Sequence, residues 1–194
     1  MRKMLRLFVV VVIFAAFSGG LLAAVKSMTG ERIEYQQLKF VKGPVLKKIM
    51  KGCSNDPLAD RFKIKDGKEE RTFFVGVFNG KRDIVALESF GKGFGGNIGV
   101  LVGIDLRNDK IVGIGVTTHS ETPGVGARVK TEPSFSAQFK GKSIREPFKV
   151  RADGGQIDAV SGATYSSRGV CSAVASAGKI YLRLKPEILQ KIKS

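Results

Sequence analysis

Nineteen residues from Leu7 to Val25 carry no charge, and Arg2, Lys3 and Arg6 precede them. A helix needs ~20 apolar residues to cross the hydrocarbon core of a bilayer, so this run is long enough to span one. Ser18-Gly19-Gly20 would suit the cut site of a cleaved signal peptide, but apolar residues continue beyond it to Val25, which favours a retained anchor. Basic residues ahead of the span place the N-terminus in the cytoplasm and the remainder outside it, as expected for a single-pass protein of the inner membrane. The chain then divides into a cytoplasmic N-terminus (1–6), a transmembrane anchor (7–25), a stalk and lead-in (26–69), a main domain (70–185) and a basic C-terminal tail (186–194).

Past the anchor the hydrophobic pattern changes period. Gly43-Pro44 followed by Val45 to Met50 and Gly52 reads as a short amphipathic helix, with Pro in its first turn and Gly after its last. The runs 72–78 and 84–90 are apolar and β-rich and meet at Asn79-Gly80, the strongest hairpin signal in the chain. Two more strands, 98–105 and 111–117, flank the turn Arg107-Asn108-Asp109-Lys110, and 148–150 reads as a further short strand. An Ala-rich stretch, 169–184, predicts a helix capped by Ser166 or Ser167, with 186–193 as a separate amphipathic tail after Pro186. The fold class that follows is α+β, a mainly antiparallel sheet flanked by helices behind one transmembrane helix.

Charge and composition narrow the function. The net charge is +16, and without Arg2, Lys3 and Arg6 it is still +13, so the excess belongs to the folded part of the chain beyond the anchor. Such a surface suits nucleic acid, anionic lipid or an acidic protein partner. The chain has no Trp, and its Phe residues lie mostly in apolar runs, so the aromatic platforms that stack bases are missing and nucleic acid is disfavoured. Cys53 and Cys171 lie far apart and His119 is the sole histidine, which excludes a zinc site or an iron–sulfur cluster built from this chain.

Candidate chemistry concentrates in two stretches. Asp158-Ala-Val-Ser161-Gly162-Ala163-Thr164-Tyr165-Ser166-Ser167-Arg168 reads as a loop feeding a helix. The unpaired N–H groups and positive dipole end of that helix, with Arg168 beside them, would stabilise a phosphate ester on a nearby hydroxyl. Composition leaves open whether that hydroxyl is Ser161, Thr164, Ser166 or Ser167. The second stretch, His119-Ser-Glu121-Thr122-Pro123-Gly124-Val125-Gly126-Ala127-Arg128, leaves a strand and is rich in turn formers. Between them in character stands Gly91-Lys92-Gly93-Phe94-Gly95-Gly96, which matches Gly-x-Gly-x-x-Gly but is followed by a strand instead of a helix, so the dinucleotide-binding context fails. Ser161 with His119 could be read as a serine hydrolase, but the Gly-x-Ser-x-Gly elbow is absent.

Asp158-x-x-Ser161-Gly162-Ala163-Thr164 and Glu121-Thr122-Pro123-Gly124-x-Gly126 together resemble the FMN-binding subunits of membrane redox complexes, above all the G subunit of the Rnf complex. The C subunit of the sodium-pumping NADH:quinone reductase is a related alternative. Gly93-Phe94-Gly95-Gly96 and the segment Gln138-Phe139-x-Gly141-Lys142 are similar to further family segments, and the resemblance covers roughly residues 70 to 180. It implies FMN joined to Thr164 by a phosphodiester bond, with Asp158 recognised by a flavin transferase. Ser161, Gly162, Ala163, Glu121, Thr122, Gly124 and Gly126 would bind the flavin and tune its potential. It further implies an electron relay without turnover chemistry of its own, moving electrons between ferredoxin and NAD in an ion-translocating complex. The implied partners are the bilayer, the other subunits and in particular a membrane-embedded flavoprotein neighbour. A basic membrane-surface module without flavin is the remaining alternative, and it leaves both motifs unexplained.

Overall fold

The computed structural model describes residues 2–193. Two compact units succeed one another, Met1–Lys39 and Phe40–Ser194. The first is essentially one helix, α1 (Arg2–Gln36), whose stretch Arg2–Gly30 is long and apolar enough to cross a membrane. Its Leu, Val, Ile and Phe side chains are all exposed, so within this unit nothing competes with lipid for them. A π-helical stretch, Gln37–Lys42, precedes the short helix α2 (Gly43–Ile49), where Pro44 sits in the first turn as the sequence predicts.

The second unit is an antiparallel meander in the order β1-β2-β3-β4-β5: Arg61–Asp66, Glu69–Phe78, Lys81–Lys92, Asn97–Asp105 and Lys110–Val116. Asn79 and Gly80, both at positive φ, close the β2–β3 hairpin. Alternation sorts the side chains between two faces. Phe73, Leu87, Val100, Val102 and Ile104 face the main core, whereas Phe74, Ala86 and Leu101 point the other way with Leu46 of α2 and Met50 just after it. Gly103 and Gly115 let α2 settle closely on that second face, because a Cβ on either would run into Ile49 or Val45. The main core is closed by α5 (Thr164–Lys193), which packs on β3 and β4 through Val170, Ala173, Val174, Ala177 and Tyr181. Two short helices, α3 (Arg128–Thr131) and α4 (Pro133–Ala137), and a 3-10 turn, Arg151–Asp153, link β5 to α5.

Three expectations change. Arg61–Asp66 is a strand of the sheet, and the compact unit begins at Phe40, so the segment 26–69 is no plain stalk; the alternation of Phe62 and Ile64 with charged neighbours fits an edge strand with one buried face. Residues 148–150 form no sheet strand; Val150 makes only an isolated parallel bridge to Ile157. Finally, α5 begins at Thr164, not Gly169, and runs unbroken past Pro186. An internal proline costs about 3 kcal/mol through a lost hydrogen bond and a steric clash. Burial of Leu184 and Ile188 on either side of it offsets that cost and carries the helix through.

Candidate functional site

Three segments meet at one end of the sheet. The first is the β3–β4 turn, closed by a 2.8 Å hydrogen bond from the Gly93 N–H to the Gly96 carbonyl. The second is the loop leaving β5, in which the Thr122 carbonyl accepts hydrogen bonds from the N–H groups of Val125 (3.3 Å) and Ala127 (3.1 Å). The third is the start of α5, where the Ser167 N–H gives the first helical hydrogen bond, 2.9 Å to the Ala163 carbonyl. The amides of Thr164, Tyr165 and Ser166 therefore lie ahead of the helical ladder, without an acceptor among the described residues, at the positive end of the helix dipole. Gly162 just before them has φ +76°, a left-handed conformation that any side chain would strain.

Between these segments lies a cavity of about 470 Å³ lined by Phe94, Glu121, Thr122, Val125, Gly126 and the run Gly162 to Ser166. Thr164, half-buried, is the first residue of α5, and its hydroxyl has no hydrogen-bond partner among the described residues. Phe94 and Tyr165, 76% and 63% exposed, meet edge to face at 6.4 Å between ring centroids and form an aromatic rim.

Glu121 closes the back wall and is only 5% exposed. Its carboxylate accepts hydrogen bonds from the N–H groups of Gly95 (2.9 Å) and Phe94 (3.2 Å) and from the Ser166 hydroxyl, so one side chain ties all three segments together. Burial alone would raise its pKa; the Ser166, Gly95 and Phe94 hydrogen bonds and the nearby His119 outweigh that and hold it below the usual carboxylate range. His119 itself accepts the Glu121 N–H at Nδ1, at 3.3 Å, and no hydrogen bond joins it to Ser161 among the described residues. The hydrolase pairing is therefore not assembled.

The other sequence candidates separate. Gly162, Ala163, Thr164, Glu121, Thr122 and Gly126 line the cavity; Ser161, Gly124 and Asp158 do not. Gly124 is the exposed tip of its loop at φ +74°, and the carbonyl of Ser161 accepts a hydrogen bond from Arg128 at 3.2 Å. Asp158 is exposed, its carboxylate 2.5 Å from Arg151, while the side-chain amide of Gln138 brackets its backbone with hydrogen bonds of 2.7 and 3.0 Å. Neither Ser166 nor Ser167 caps α5 as expected. Ser166 serves Glu121, and Ser167 is buried between the Val160 N–H and the Ala163 carbonyl. Arg168 is also displaced from the phosphate-binding role given to it: its guanidinium holds Asp153 at 2.6 and 2.7 Å and lies over the Tyr165 ring. Tyr165 and Val125 went unassigned in the sequence, although each adjoins a residue of a motif.

The residues fit a flavin mononucleotide. The volume lies within the ~300–1,000 Å³ of typical small-molecule sites, with aromatic and aliphatic walls for a ring system and free amides at a helix start for a phosphate. The fold and cavity together define a flavin-binding α+β domain behind an apolar helix, and residues 93–179 match the FMN-binding domain family. Over 190 residues the chain is 30% identical to the G subunit of the ion-translocating oxidoreductase complex of Vibrio parahaemolyticus, covering 92% of this chain and 90% of the relative. It is 33% identical to the corresponding G subunit from Escherichia coli over 190 residues, 93% and 91% of the two chains. The chain belongs to this family of G subunits. The C subunit of the Na(+)-translocating NADH-quinone reductase of Parabacteroides distasonis shares the fold, with a TM-score of 0.50 and 24% identity over 70% of this chain and 72% of that one.

Proposed function

We propose that this protein is the electron-relaying flavoprotein subunit of an ion-translocating oxidoreductase complex, and that it carries FMN as a phosphodiester on Thr164. Membership of the G-subunit family supports the complex, and the cavity supports the cofactor. One observation carries the choice of hydroxyl. Of the four that the sequence leaves open, Ser161 lies off the cavity, Ser166 donates to Glu121 and Ser167 is buried within the helix start; Thr164 alone faces the cavity with its hydroxyl free.

FMN supplies one- and two-electron chemistry when bound. The protein holds and insulates it. The free amides of Thr164, Tyr165 and Ser166 meet the charge of the phosphodiester at the positive end of α5. Phe94, Val125 and Tyr165 provide apolar surface for the ring, while Thr122, Gly126 and the Glu121 tie keep the β5 loop against it. Asp158 is the residue that a flavin transferase recognises, and its exposure outside the cavity supports that reading. The helix Arg2–Gly30 anchors the protein in the inner membrane, with its basic N-terminus in the cytoplasm and the flavin domain outside. There it meets the other subunits of the complex, including a membrane-embedded flavoprotein neighbour.

Intact-mass analysis of the chain made in cells with the transferase tests the assignment. Wild type should carry one FMN and Thr164→Val none, with unchanged thermal unfolding. Covalent flavin on the folded valine variant would sink it.

A further inference from the structure

We propose that Glu121 keeps the reduction potential of this site low by holding a negative charge, paired with no Lys or Arg among the described residues, in the cavity wall, without itself bonding the ring. The inference rests on the flavin reading above and assigns Glu121 a definite role within it. Both carboxylate oxygens are already committed to the protein: Oε1 accepts from Gly95, and Oε2 accepts from Phe94 and from the Ser166 hydroxyl. A side chain so engaged has little capacity left for hydrogen bonds to a ligand, yet it lines the cavity, and it is among the few buried charged groups of the domain.

Its charge is stabilised chiefly by dipoles, with a smaller electrostatic contribution from the nearby His119. No ion pair to Lys or Arg involves Glu121 among the described residues, whereas the buried Asp105 is paired with Arg107 at 3.0 Å. Backbone amides and a hydroxyl make ionisation tolerable without cancelling the net charge, so the field of the carboxylate extends into the cavity, where low polarity screens it weakly. Adding an electron to a group in that cavity brings negative charge toward negative charge. The oxidised form is therefore favoured.

The glycines around it show how closely the charge is held. A Cβ on Gly126 would stand 2.8 Å from the Ser166 hydroxyl and 2.9 Å from the Glu121 Cβ, and a Cβ on Gly93 would stand 2.5 Å from Oε1. Only residues without a side chain admit the carboxylate at this depth.

Glu121→Gln removes the charge and nearly preserves the shape. Its amide oxygen can keep the Gly95 hydrogen bond, and its NH2 can donate to Ser166 once that hydroxyl turns to accept; the longest contact, from Phe94, is the one given up. Spectroelectrochemical titration of the full-length, FMN-loaded chain in detergent should show the one-electron equilibrium moved at least tenfold toward reduction, which is ~59 mV more positive. Glu187→Gln, which removes an exposed carboxylate near the far end of α5 and away from the cavity, should stay within threefold of wild type. If Glu121→Gln does not accumulate as folded chain, the same shift is read from Glu121→Gln combined with Ser166→Ala, against Ser166→Ala alone. A loaded, folded Glu121→Gln chain with the wild-type potential overturns the inference and leaves the flavin reading intact. A wild-type chain that takes up no flavin overturns that reading instead.

Discussion

Gly95→Ala should break the tie between the β3–β4 turn and the β5 loop. A methyl at Gly95 would overlap the Ser120 carbonyl oxygen, lie 2.9 Å from the Ser120 carbonyl carbon and 3.3 Å from the Glu121 Cα. All three are backbone atoms, so no side chain can swing aside, and the two loops must separate by roughly 1 Å to restore ordinary contact. The same movement carries the Gly95 N–H, now 2.9 Å from Glu121, beyond hydrogen-bonding distance and lengthens the 3.2 Å bond from Phe94 with it. Hydrogen bonds to a charged group contribute about 1.5–3 kcal/mol each, so losing most of two destabilises the protein by about 3–5 kcal/mol. Denaturant unfolding of the full chain in detergent measures the loss. Carboxyl-selective NMR should show the Glu121 pKa rising, because burial remains while two of its three donors recede. A cost below about 1 kcal/mol with an unmoved Glu121 titration would refute the reasoning.

Two further outcomes follow from the same structure. Ile188→Ala should cost about 2–5 kcal/mol, and hydrogen exchange should accelerate in 187–193 while the helix up to Leu184 stays protected, held by Tyr181 and Lys185 on Asp109 at 2.7 and 2.5 Å. Acid should destabilise the fold through Asp105, Asp109 and Glu121. Burial pushes each upward, but hydrogen bonds from Arg107, from Lys185 and Tyr181, and from Ser166 respectively leave all three below their ordinary values of 3.8, 3.8 and 4.5. A depressed folded-state pKa contributes stability that is complete above the ordinary value and lost as pH falls through the depressed one, so thermal unfolding should be flat above about pH 5 and fall below pH 4.

What the sequence displayed was whatever has a short period or a local signature. Asn79-Gly80 announced a hairpin, the β-branched character of 98–105 announced a strand, and Pro44 announced a helix start; all three are present. Strand β1 was obscured because four of its six residues are charged and only Phe62 and Ile64 turn inward. The start of α5 was placed too late because Thr164, Ser166 and Ser167 are residues that usually sit at caps, while in the fold Ser167 is buried by its own loop and Ser166 is claimed by a carboxylate 45 positions earlier. Pro186 looked like a terminus because no local rule weighs it against the burial of Ile188. Within the site, family resemblance singled out the motif residues, but which hydroxyl is free, and that Glu121 joins three segments, are matters of long-range packing.

Two glycines that do not line the cavity set how closely the strand and helix behind its walls approach. A Cβ on Gly91 of β3 would collide with the Gly169 carbonyl and come within 2.7 Å of the Ala173 amide; one on Gly169 would meet the Lys92 carbonyl at 2.9 Å and the Gly93 amide at 3.0 Å. Strand and helix therefore touch backbone to backbone, with no side chain between them to repack. Thr164 stands five residues before Gly169 on the same helix, and Gly93 stands two after Gly91 on the way into the turn that bonds Glu121. The first helical turn is thus carried over that turn at a separation fixed by the closest contact two main chains can make. Interiors transmit such displacements because they are close-packed, so a side chain at either glycine would shift the start of α5 against Glu121 and widen the cavity without altering any residue that lines it. The large, continuous core behind α5 supplies the rigidity, and the loops in front need only one buried carboxylate to complete the enclosure.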